Sequence, residues 1–132
     1  LNAEANSSLT ISGAITNGTG LSKQGSGTLV LAGADTRTGN TGVAGGTLQL
    51  AAGGSLLFVI GGNGTNNAIT GTAAANIDGQ FNFNLAAAST NIGDSWTIIA
   101  GTVSATYGTN FIPIGFSGVS GGNWTNTTNG VS

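Results

Sequence analysis

LSKQGSGTLVLAGADTRTGNTGVAGGTLQL, residues 21–50, decides the fold of this chain. It holds two short alternating segments, Thr28-Leu29-Val30-Leu31 and Thr47-Leu48-Gln49-Leu50, each entered through a glycine, Gly27 or Gly46. The pair Leu29 and Leu31 returns as Leu48 and Leu50, and Leu9 with Ile11 stands ahead of Leu29 with Leu31 by nearly the same interval. An apolar pair returning every ~20 residues marks the coils of a β-solenoid. Each circuit of the chain points its pair inward, stacked on the pair of the circuit before.

Composition narrows the alternatives. The 132 residues suffice for one domain with a modest core. Only 5% are charged, namely Glu4, Asp35, Asp78, Asp94, Lys23 and Arg37, far below the usual quarter. No apolar run approaches the roughly 18 residues of a membrane-spanning helix, and the longest, Ser55–Ile60, has strand length. Many β-branched residues among Gly, Thr, Asn and Ser argue against disorder. A net charge of −2 without a basic cluster makes nucleic acid a poor partner. The absence of His and Cys removes disulfides and the common zinc, copper and haem ligands, so no cofactor and no metal is expected. The chain opens on Leu1, as a processed or excised segment would.

The 21–50 stretch resembles the autotransporter-associated β-strand repeat of large bacterial surface and secreted proteins. The resemblance lies in Lys23, the run Gly25–Leu31, Gly33-Ala34, Thr38-Gly39, Thr41 and the run Gly45–Leu50. It departs at Arg37, where the family more often has an aromatic residue. The repeat is commonly part of a right-handed parallel β-helix. The resemblance therefore implies an extracellular or cell-surface structural role, and it brings no catalytic residues with it.

Beyond residue 64 the regular interval fades. Gln80-Phe81-Asn82-Phe83-Asn84-Leu85 alternates cleanly, as a strand with one wet face does. Ser95–Ala100, Thr102–Thr106, Phe111–Phe116 and Asn123–Asn126 are further strand candidates, spaced by Gly/Asn turns in the manner of antiparallel meanders. No stretch argues for a helix beyond a turn or two. The expectation is a single all-β domain, residues 1–132. Residues 1–64 form a short parallel β-solenoid of about three rungs, and residues 65–132 an antiparallel, meander or sandwich-like C-terminal part.

No constellation argues for catalysis, so the chain is read as not an enzyme. Asp35 and Asp94 sit in turn contexts, where a carboxylate bonds its own backbone, and a serine nucleophile would lack a histidine base. Gly61–Ile69 echoes the calcium-binding nonapeptide, with Asn66 where an Asp is required, and is read as a glycine-rich turn. Trp96 reads as core, while Trp124 is a candidate sugar platform. Five Asn-x-Ser/Thr triplets, including those at Asn17 and Asn63, are formal glycan acceptors.

Assembly is the leading functional expectation. Exposed sheet edges are ordinarily defended by Lys, Pro and charge, and this chain has one Lys, one Arg and one Pro. The primary reading is a non-catalytic extracellular structural protein whose partners are other copies of itself, joined through strand edges into a fibre or surface filament. Leu9 and Ile11 would donate a strand, and Phe111, Ile112, Ile114 and Phe116 would form the accepting edge. One alternative is a stalk segment of a larger autotransporter-like passenger. Another is an adhesin module with surface glycans as partner.

Overall fold

The computed structural model describes the backbone of residues 1–16, 18–115, 123–128 and 130–131, and the side-chain surroundings of the first two spans. All of its regular elements are strands: β1 Ser8–Ile11, β2 Leu21–Lys23, β3 Thr28–Leu31, β4 Ala34–Asp35, β5 Thr41–Val43, β6 Thr47–Leu50, β7 Ser55–Val59, β8 Ile69–Gly71, β9 Ala74–Ile77, β10 Gln80–Asn84, β11 Ser95–Thr97, β12 Ser104–Tyr107, β13 Ile112–Ile114, β14 Asn123–Thr128 and β15 Gly130–Val131.

These strands build three parallel faces. The first has the order β2-β5-β8, the second β1-β3-β6-β9-β12 and the third β4-β7-β10-β13. The chain visits the faces in that order and then repeats the circuit. Parallel bridges Asn2↔Gln24, Ile15↔Asp35 and Ile69↔Ile99 complete the first and last circuits. The result is a β-solenoid whose second face counts five strands, two more than the expected three rungs.

Register explains why leucine is so regular early on. On the second face Leu9, Leu29, Leu48, Ala75 and Ala105 lie in one column, and Ile11, Leu31, Leu50, Ile77 and Tyr107 in the other. Side chains two apart share a face of a strand, so both columns point into the coil. Leu29, Leu48, Leu50, Ala75 and Ile77 are wholly buried. Burying an aliphatic side chain contributes roughly 1.5–3 kcal/mol, and here each one packs on its own counterpart a coil away.

The expected switch to antiparallel pairing after residue 64 does not occur on these faces. β8, β9, β10, β12 and β13 all join parallel ladders. Among the described residues antiparallel pairing joins β11 with β14, β14 with β15 and, as a single bridge, Ile60 with Asn66. The reason is that coil length changes while register holds. On the first face Leu21 pairs with Thr41, Thr41 with Ile69 and Ile69 with Ile99, so each later circuit takes in more chain than the one before. Much of the additional chain enters at one corner, between the third face and the first, where the connection lengthens from 36–40 to 60–68 to 85–98. β11 belongs to the longest of these insertions.

Backbone packing is tight at the short end of this corner and at the other corners alike. A Cβ on Gly39 would fall 0.9 Å from the Thr19 carbonyl oxygen, because the corners of successive coils touch backbone to backbone there. Gly46 combines a φ of +62° with a neighbouring Gly27 carbonyl 2.1 Å from where its Cβ would be, so only glycine fits.

Candidate functional site

Polar chemistry is concentrated inside the solenoid and at its variable corner. Lys23, on β2, points inward and is fully buried. Its Nζ donates to the carbonyls of Gln24 and Gly25 at 2.7 Å each and of Gly45 at 3.0 Å. An ammonium has three donors, and all three are used. Gln24 and Gly25 belong to the turn of one coil and Gly45 to the equivalent turn of the next, so the cation ties the two together. Burial pushes the lysine pKa below its ordinary value. Its place in the repeat thus has a structural explanation.

Asp35 and Arg37 form a second internal unit. They stand two positions apart, so both side chains turn inward. Arg37 Nε donates to Asp35 Oδ1 at 2.9 Å, Nη2 pairs with Asp35 Oδ2, and Nη2 reaches Thr41 Oγ1 at 3.2 Å. The pair is stacked beneath Leu56, the ladder partner of Asp35. Nη1 is buried with no hydrogen-bond partner among the described residues. Beside the pair lies a cavity of about 10 Å³, also lined by Gly39 and Asn67, large enough for about one water molecule. Asp35, which the sequence places in a turn, is instead one half of an internal ion pair. The Asp-x-Arg spacing, two opposite charges two residues apart where a strand runs into a corner, is the available signal.

Further along the axis aromatic rings replace charges. Phe58 stacks on Phe83 at 5.4 Å and meets Phe81 edge-on at 4.7 Å, and Phe81 meets Phe111 at 5.1 Å. Trp96 is buried, as expected, with Nε1 donating to the Gly62 carbonyl at 2.8 Å.

The carboxylates of Asp35, Asp78 and Asp94 are all engaged. Asp35 is paired with Arg37. Asp78 accepts from the Asn110 backbone N–H at 2.9 Å and from its Nδ2 at 3.1 Å; those bonds, the backbone one first, hold its carboxyl below the ordinary carboxylate range. Asp94 accepts from Ser89 Oγ. The 61–69 turn is held by amide side chains. Asn63 Oδ1 accepts from Ser95 N, Asn66 Nδ2 donates to the Asn67 and Thr97 carbonyls, and Asn67 ties Val59, Leu57 and Gly39 together. Among the described residues no cluster of acidic side chains is arranged to hold a metal ion.

The residues expected to assemble the protein lie at opposite ends of the stack. β1, with Leu9 38% exposed and Ile11 partly buried, ends the second face and pairs with β3 of its own chain. β13, with Ile112 and Ile114 exposed on its outer side, ends the third face. Phe111 packs inward against Phe81 and Tyr107. Phe116 lies outside the described residues. Trp124 is opposite Trp96 in the β11/β14 register, and its side chain is likewise outside them.

Residues 21–50 match the family model of the passenger-associated-transport-repeat. In the structure that span is one complete coil, β2 to β4, followed by the first two strands of the next. Comparison with curated proteins finds no match. Comparison with solved structures finds none either.

Proposed function

We propose that this chain is a structural segment of a surface-displayed or secreted passenger, a stalk in which successive coils stack along one axis. The observation that carries the reading is the fit between repeat and coil. The matched residues begin at the first strand of a circuit, and Lys23, Gly25 and Gly45, which belong to the resemblance, are the groups that lock one coil to the next. Every described side-chain carboxylate and cation except Glu4 serves an internal contact of the fold, which favours a non-catalytic role. Glu4 accepts only a local bond from Asn2. An antibody against this chain, applied to intact cells making the whole protein, should label the surface or the medium. Labelling only after the cells are opened would overturn the proposal.

A second reading has its own support. β1 and β13 end their faces, and Leu9, Ile112 and Ile114 are exposed there. Coils of separate copies could join edge to edge at these places and extend the ladders into a filament. Negative-stain images of the purified chain would then show filaments, shortened or lost on Leu9→Asp. Dispersed particles for the unaltered chain would reject this reading and leave the stalk standing.

A further inference from the structure

The variable corner carries more than spacing. The corner of one coil, residues 38–40, and the longer corner of the next, residues 59–67, enclose an open groove of about 420 Å³. The groove opens broadly to solvent, so a ligand there would be held from one side. Thr38, Asn40, Thr65 and Asn66 line it, with Val59 as an apolar wall. Their polar atoms are only partly committed to the fold. Asn40 uses Oδ1 to accept from Ala68 N, which leaves Nδ2 to donate. Asn66 uses Nδ2 in bonds to the Asn67 and Thr97 carbonyls, which leaves Oδ1 to accept. The hydroxyls of Thr38 and Thr65 make no hydrogen bond among the described residues. The groove thus presents a donor, an acceptor, two hydroxyls able to do either and an aliphatic patch, without any charged side chain.

Charge decides the ligand class. Both side-chain cations of the protein, Lys23 and Arg37, are buried, so nothing at this surface can pair with a phosphate, sulfate or uronate. Neutral hydroxyls, which both donate and accept, match the free groups, and a C–H face matches Val59. We propose that this groove binds a neutral saccharide of one or two sugar units. The proposal does not depend on whether the chain is a stalk or a filament subunit.

The test is an amide-resolved NMR titration of the isotope-labelled chain with maltose, cellobiose, lactose and diacetylchitobiose, with digalacturonate as the charged control. At least one neutral sugar should shift the amides of residues 38–40, 59 and 65–67, with a dissociation constant on the order of millimolar for so open a site. Asn40→Asp keeps the acceptor for Ala68 N and removes the donor, and Thr65→Val keeps the shape and removes the hydroxyl. Each should weaken binding about 5-fold or more, with the rest of the spectrum unchanged. No shift with any neutral sugar at tens of millimolar would overturn the proposal. So would shifts confined to other residues, tighter binding of digalacturonate, or a neutral tetrapeptide that occupies the groove when the sugars do not.

Discussion

The coil of residues 21–40 and the coil of residues 69–98 solve the same packing problem with different chemistry. The first is short and keeps ions inside, Lys23 against three carbonyls and Arg37 against Asp35. The second is long and packs rings, with Phe81 and Phe83 meeting Phe58 below and Phe81 meeting Phe111 above. Both keep the inward columns of the second face in register. A solenoid therefore tolerates a change of core chemistry from coil to coil provided each coil closes, and it stores additional chain at one corner. The groove lies where the short corner meets a longer one.

The comparison breaks most severely where one member of a contact is removed. Arg37→Ala would leave Asp35 buried without its partner and should cost about 3–5 kcal/mol. Phe81→Ala, wholly buried among three rings, should cost a similar amount, about 3–5 kcal/mol. Urea unfolding followed by circular dichroism measures both. A loss under about 1 kcal/mol for Arg37→Ala would mean that the ion pair is not buried as described. Lys23→Met preserves the stem and deletes the three donors, and about 2–3 kcal/mol should be lost through unsatisfied carbonyls.

A sharper version replaces the polar unit by the chemistry of the later coils. Asp35→Leu combined with Arg37→Phe should fall within about 1 kcal/mol of the unaltered protein, or exceed its stability, because a buried pair seldom outweighs well-packed apolar residues. The same urea experiment reads it, and a double variant as unstable as Arg37→Ala would show that the pair has a specific positional role.

The smallest effect belongs to Asp78. Its folded-state pKa is held below the ordinary value by Asn110, so its contribution is present above about pH 4 and is lost as pH falls through the folded pKa. Unfolding midpoints of the unaltered chain and of Asp78→Ala should differ most at near-neutral pH, and the difference should shrink as acid protonates the carboxylate. A difference that stays constant as pH falls would remove the carboxylate from the explanation.

The early coils were legible because their interval is nearly constant. Leu9, Leu29 and Leu48 are almost evenly spaced along the chain, and a glycine precedes the strand in both coils of the repeat. The later coils obey the same register yet hide it in two ways. The steps from Leu48 to Ala75 and from Ala75 to Ala105 are much longer than those before them, and the column changes from leucine to alanine. Short alternating strands separated by Gly/Asn turns then read equally well as meanders, since alternation reports one buried face and says nothing about strand direction. Trp96 was legible as core because it alternates with polar neighbours. The Asp35–Arg37 pair was not, because turn-forming Asp is the commoner role of that residue. The groove was invisible in the sequence because it joins residues from two coils through the register alone.

The central claim is that the parallel stack continues unbroken past residue 64 to β12. Methyl–methyl nuclear Overhauser contacts test it most directly. The structure predicts a chain of contacts from Leu29 to Leu48, from Leu48 to Ala75 and from Ala75 to Ala105, with Leu31, Leu50 and Ile77 linked in the parallel column. Contacts that instead join Ala75 to residues at the far end of β12, in the reversed order of an antiparallel pair, would contradict it.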